Sequence, residues 1–457
     1  MKKLFLSVIV FSFIFGLSRC RKAELFPEND YDERLSGGSQ TTFDFTSQAF
    51  SHPFVGMSAH DEGIHDLGDA EFEQSFVTAP ALFFGGLGPA FNNTSCVSCH
   101  HNDGKGVPTA GFIESSLLVR ISTDGTDQHG GSLPVPGYGT QIQDKAIQGK
   151  VKEAQINIVY SYQTYSFSDG EQYELRTPTY VLTDLHVPIN VPYYLSPRLA
   201  PPVFGLGLLE NIPESDIVAN ADISDTDGDG ISGKPNYVWE PTMNSVLLGR
   251  FGHKSNTASI LTQVAAAYNN DMGVTSSVFK NETTHGQSQT DLLQDDPEVP
   301  DSVLQAVKFY VQTLQVPARR NVTQADVIRG KELFDQAKCS SCHVSNFRTN
   351  VNVAFPAMSN QLIHPYTDLL VHDMGEGLAD HRPDFRADGY EWRTAPLWGV
   401  GLLETVNYPA YYLHDGRART LVEAVMWHGG EAEFSVDFVK QLSTIDRKAL
   451  FAFLKSL

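Results

Sequence analysis

Cys96-Val97-Ser98-Cys99-His100 recurs once in the chain, as Cys339-Ser340-Ser341-Cys342-His343. Cys-x-x-Cys-His is the attachment pattern of a c-type haem. The two thiols add to the haem vinyl groups and the adjacent His ligates the iron from one face. Two intervening residues let both sulfurs reach one porphyrin edge, and the next residue then points back at the metal. Two disulfides, a zinc site or a redox dithiol also use Cys-x-x-Cys. None of them explains a His directly after the second Cys in both copies. Cys96, Cys99, His100, Cys339, Cys342 and His343 are therefore read as holding two covalently bound haem c groups. Cys20 is the only other cysteine.

Outward from these motifs, the 457 residues carry 54 acidic and 33 basic side chains, a formal charge of -21. That balance excludes nucleic acid as a partner, since phosphate backbones demand basic patches. It suits a soluble acidic protein and the steering of a basic redox partner. Met1-Lys2-Lys3 followed by the apolar run Leu4 to Leu17 reads as a signal peptide, too short to span a bilayer. Leu17-Ser18-Arg19-Cys20 resembles a bacterial lipobox, although Arg19 departs from the small residue usual before the Cys. The expected location is extracytoplasmic: the periplasm, or a membrane surface as a lipoprotein anchored through Cys20.

Four segments are expected: a signal peptide over 1–20, a polar tether over 21–40, an N-terminal haem domain over 41–320 and a C-terminal haem domain over 321–457. Pro317 and Arg319-Arg320 mark the last boundary. Thr323 then precedes an amphipathic helix with Val327, Ile328 and Phe334. Gly330-x-x-x-Phe334 ahead of Cys339 is the pattern of the first helix of a cytochrome c. The expected fold class is mainly α with extensive loops and a few short strands, built as two cytochrome c-like haem domains, the first enlarged by insertions. Residues 110–200 read as strand and loop. Helices are expected over 257–273, 300–316 and Ile445 to Leu457.

Other stretches carry chemistry. The glycine-rich, aromatic run Phe83 to Asn93 would let backbone approach a flat cofactor. Arg176-Thr177-Pro178 is echoed by Arg393-Thr394-Ala395-Pro396 after the second motif. Either Arg suits a haem propionate or a surface salt bridge. In the run Asp225 to Asn236, Asp225, Asp227 and Asp229 with Gly230 match the start of a calcium loop, but Asn236 stands where the bidentate Glu belongs. Calcium binding and a plain acidic turn both remain open there.

The segments Arg393-Thr394-Ala395-Pro396-Leu397, Tyr412-Leu413-His414-Asp415-Gly416 and Thr420-Leu421-Val422-Glu423-Ala424-Val425 resemble those of bacterial di-haem cytochrome c peroxidases. Leu87-Gly88-Pro89-Ala90-Phe91-Asn92, Tyr138 to Asp144, the Asp-rich loop and His414 to Leu421 extend the resemblance over nearly the whole mature chain. They point within that superfamily to the di-haem oxidoreductase family, whose members are also labelled thiol oxidoreductase-like. Nothing in these residues shows thiol chemistry.

The resemblance implies a sixth iron ligand five residues after Glu423, which is His428 where the peroxidases carry Met. It implies bis-His ligation of the second haem by His343 and His428, with Met426, His372 and Met374 as competitors. It aligns Ile260-Leu261-Thr262-Gln263-Val264-Ala265 with the 420–425 segment, placing Tyr268 in the slot of His428. Gln263, Asp271 and Tyr268 then become the candidate catalytic residues of the first haem, with His253 and His129 as alternative closing ligands. The implied activity is a peroxidase-like di-haem oxidoreductase. Electrons from a cytochrome or cupredoxin-type partner enter at the C-terminal haem, and an oxidant such as hydrogen peroxide reacts at the N-terminal haem. A periplasmic electron carrier without turnover, or a lipid-anchored redox sensor or assembly partner, is the alternative.

Overall fold

Two pairs of crossed helices anchor the architecture, and each pair carries one of the two motifs. The computed structural model describes residues 32–109, 115–291, 293 and 295–457. The signal peptide, the Cys20 lipobox and most of the tether lie outside the described residues. In the first pair, Ala59–Glu73 packs against Asp301–Gln312. Ser58 caps the former, accepting from the Asp61 amide. At the crossing, a Cβ on Gly68 would come within 2.2 Å of the Ala306 carbonyl oxygen, so only glycine lets the backbones meet. In the second pair, Ala325–Gln336 packs against Thr444–Ser456. There a Cβ on Gly330 would come within 2.0 Å of the Ala449 oxygen.

Packed on Asp301–Gln312, helix Ile260–Met272 starts at Ser259, whose hydroxyl accepts from the Thr262 amide, and ends at Gly273 with φ +71. Its C-terminal carbonyls bind the segment before the first motif. The Gly88 amide donates to Met272, and those of Asn92 and Asn93 donate to Asp271. Gly88 is needed here because a Cβ would sit 2.7 Å from the Gly273 Cα. The close approach expected of this glycine-rich stretch is thus made to a helix end.

The longest strands lie between the motifs, within the 110–200 stretch where the alternation predicted strand and loop. Leu117–Thr126 lies between Ser132–Leu133 and Tyr194–Leu199 in an antiparallel sheet. Val119, Ile121, Tyr138, Ile142 and Ile156 form a core behind it. Gln155–Ser166 and Gln172–Thr183 make a long hairpin in continuous register from Gln155 opposite Thr183 to Ser166 opposite Gln172. Its tip reaches the second helix pair. Arg447 lies over the Phe167 ring and pairs with Asp169 and Glu171, and the Ser168 amide donates to the Lys440 carbonyl.

The expectation of a mainly helical, cytochrome c-like class is overturned. The described residues are only 27% helical and 20% strand, with ten α-helices among them and many small sheets. The physical reason is local. Helices form where an amphipathic face presses on a motif or on another helix. The polar and aromatic alternation between His100 and Leu199 buries one side at a time, which suits strands.

Candidate di-haem site

Each motif opens with a tight turn. The amides of Cys99 and His100 donate to the Cys96 carbonyl, and that of His343 to Cys339. Phe72 lies one helical turn beyond Gly68 and sets its ring 6.1 Å from that of His100. Phe334, in the same relation to Gly330, lies 6.2 Å from His343. Gly68-x-x-x-Phe72 was thus readable as a second copy of Gly330-x-x-x-Phe334, and sequence reasoning passed over it.

His100 Nδ1 is held by the Pro201 carbonyl at 2.8 Å and His343 Nδ1 by that of Tyr366 at 2.9 Å. Such a bond fixes the tautomer and leaves Nε2 for a metal. Both rings line one cavity of about 790 Å³, as do Cys96, Cys99, Cys339 and Cys342. Burial pushes both imidazoles down to about 4, so they remain neutral donors. It pushes the Cys96, Cys99 and Cys339 thiols up to about 12. A redox dithiol needs a thiolate, which these sites disfavour, and neither pair is joined as a disulfide. A neutral imidazole beside two thiols, twice over, in a largely apolar cavity is a donor set that fits haem.

His428 follows helix Leu421–Met426, which is capped by Thr420. It is half-buried, lines the cavity and bonds Ala424 O through Nδ1 at 2.8 Å. The competitors are placed differently. His372 lines the cavity, but its two nitrogens contact Glu431 at 2.7 Å and Asp368 at 2.9 Å. Asp368 and the Cys342 sulfur raise its pKa well above the ordinary value, against the opposing effect of burial. Met426 belongs to the C-terminal core, and Met374 lines the cavity.

Helix Ile260–Met272 presents Gln263, Asn270 and Asp271 to the cavity. Asp271 Oδ1 accepts from Gln141 Nε2 at 2.9 Å. Burial raises its carboxyl to about 6, against the opposing pull of Arg120 and Gln141. Tyr268 is not brought to the cavity. It lies on another face of the helix, edge-on to Phe76 with ring centroids 5.7 Å apart, because its position is some 140° around from Gln263 at about 100° per residue. His253 lines the cavity with Nε2 on the Leu199 carbonyl, and His129 does not line it but stacks on Trp239, which does.

The two candidate propionate arginines part ways. Arg393 lines the cavity, tethered through Nε to the Gly252 carbonyl. Arg176 is spent elsewhere. It donates to the carbonyls of Gly416 and Arg417 and lies over the Tyr160 ring, fastening the long hairpin. In the acidic loop the carboxylates that converge are Asp222, Asp225 and Asp227. Asp229 turns away and caps the Ile231 amide. Arg120 also faces the cavity, and the sequence had signalled it as a lone charge in the apolar run Leu117 to Ile121.

A family model described as "di-haem oxidoreductase, putative peroxidase" matches residues 31–457. The chain belongs to this di-haem oxidoreductase family. No curated protein and no solved structure matches it. Two Cys-x-x-Cys-His motifs on one cavity are what a di-haem family requires. The peroxidase side of the description gives the enzyme class at a coarse level.

Proposed function

We propose that this di-haem oxidoreductase reduces hydrogen peroxide with electrons from a small cytochrome or cupredoxin-type protein. In this reading Cys96 and Cys99 would tether one haem and Cys339 and Cys342 the other, with His100 and His343 as iron ligands. His428 would supply a further iron ligand at the second site, where electrons would enter. When bound, the haems supply the redox centres. The chain's own residues hold them, orient the oxidant and move protons. Gln263 orients the peroxide and Asp271 delivers a proton at the first site. Arg393 pairs with a propionate. The protein acts outside the cytoplasm, anchored through a lipid on Cys20.

The observation that carries this reading is an asymmetry. The second site faces His428, an imidazole whose Nδ1 is already fixed. The first faces a helix offering an amide and a carboxyl raised to about 6. A simple electron carrier needs two saturated irons and no proton donor. Electron paramagnetic resonance of the oxidised and half-reduced protein, with peroxide then added, tests it. The expected result is a first haem that opens on half-reduction and reacts. Two low-spin haems unmoved by peroxide would overturn the proposal in favour of electron carriage.

A further inference from the structure

Alternate residues of strand Leu117–Thr126 face opposite ways. Leu118 and Arg120 line the cavity, while Leu117, Val119 and Ile121 are buried in the layer behind. Of the other cations in and around the cavity, Arg198 and Arg382 pair with Asp384 and Lys254 with Asp380, while Arg393 and Lys105 are held by the carbonyls of Gly252 and Leu413. Arg120 has no hydrogen-bond or ion-pair partner for its side chain among the described residues. Facing the cavity with only longer-range pull, from Asp271 foremost, the guanidinium is placed to take a ligand atom that bears or develops negative charge.

The same strand is tied to the helix that carries Asp271. The Arg120 backbone bridges to Gln141, and the Ile121 and Ile142 amides bond Thr140 and Val119 on either side. Gln141 in turn donates to Asp271 Oδ1 and to the Asn270 carbonyl. One buried amide therefore ties the strand carrying the cation to the helix carrying the carboxyl, and both side chains reach the same space. Arg120 is near enough to Asp271 for each to favour the other's charged form.

We propose that Arg120 is a further catalytic residue, whose guanidinium binds the negative charge developing on the departing peroxide oxygen while Asp271 supplies its proton. This rests on the peroxide reading above. The reaction balances as hydrogen peroxide, two protons and two electrons giving two waters. The O–O bond breaks and each oxygen leaves as water. The electrons come from the one-electron donor protein, one proton from Asp271 and the other from solvent. Arg120 exchanges no proton and acts by charge and hydrogen bonding alone.

The test uses the haem-loaded full chain as wild type, Arg120→Ala and Arg120→Lys. Peroxide turnover, azide affinity of the half-reduced protein and the first haem's reduction potential are measured together. Arg120→Ala is expected to slow turnover roughly 100-fold and to weaken azide on the order of tenfold, with Arg120→Lys recovering part of both. Turnover and azide affinity equal to wild type, with a shifted potential, would make Arg120 a propionate partner and overturn the assignment. Wild-type protein that reduces no peroxide sinks the peroxide reading itself. If Arg120→Ala fails to load haem, Arg120→Lys against wild type decides by the same three measurements.

Discussion

His428 donates from Nδ1 to the Ala424 carbonyl one helical turn earlier, at 2.8 Å, which leaves Nε2 as its free nitrogen in the cavity shared with His343. His372 is closer to Cys342, with Nδ1 3.4 Å from the sulfur, but its nitrogens are occupied by carboxylates. His428→Met is therefore expected to raise the second haem's reduction potential, by a part of the roughly 0.8 V that axial ligands span. A redox titration that finds no shift rejects His428 as ligand.

The two glycine crossings should respond alike. Gly68→Ala and Gly330→Ala each push a methyl into a carbonyl oxygen of the partner helix. Overpacking of this kind costs about 1–3 kcal/mol. Denaturant unfolding should show lower midpoints for both variants. A midpoint unchanged in either would mean that its helix pair has slack that the backbone approach denies.

Lys254 is fully buried, and its ammonium donates to Asp380 and to the carbonyls of Arg382 and Asp388. Lys254→Met would leave Asp380 charged and unpaired, at a cost of about 3–5 kcal/mol. The double variant Lys254→Met with Asp380→Asn should recover part of that loss. A thermal melt in which the double variant is no better than the single refutes the pairing as the source.

Arg447 pins the hairpin tip from the second helix pair, through Asp169, Glu171 and the Phe167 ring. Arg447→Ala should free the 167–171 turn and make it the earliest site of limited proteolysis. Cleavage kinetics identical to wild type would show that the remaining Ser168–Lys440 and Thr444–Asp169 bonds suffice.

Asp271 titrates near 6 in the fold and near 3.8 as an ordinary carboxyl, because burial outweighs Arg120 and Gln141. The folded protein then holds this proton more tightly than the unfolded chain. Its contribution to stability falls as pH rises from about 4 through about 6. Peroxide turnover should decline above pH 6 as the donor loses its proton. Asp271→Asn should flatten that limb of the profile, and a profile identical to wild type would remove Asp271 from the chemistry.

The paired Cys-x-x-Cys-His motifs, a helix within 257–273 and the Gly-x-x-x-aromatic signature before Cys339 were all legible, because each is a local pattern of a few residues. Gly68-x-x-x-Phe72 was equally local and needed only the second copy as a template. Arg176 and Arg393 looked equivalent because their neighbours in sequence are alike. Their difference lies in which distant carbonyls each meets: Gly416 and Arg417 for one, Gly252 for the other. Tyr268 was misplaced by counting along an aligned segment without turning the helix.

By itself the sequence determined the family, because segments such as Tyr412 to Gly416 and Thr420 to Val425 are local patterns, and it displayed the two Cys-x-x-Cys-His motifs, each within five residues. Only the tertiary structure decided that both motifs open on one cavity and that strands hold so large a share of the fold. It likewise decided that Arg120 joins Asp271 there, although more than a hundred residues separate them. Burial, tautomer and charge pairing depend on which surfaces close over a side chain, and contacts between remote segments set those.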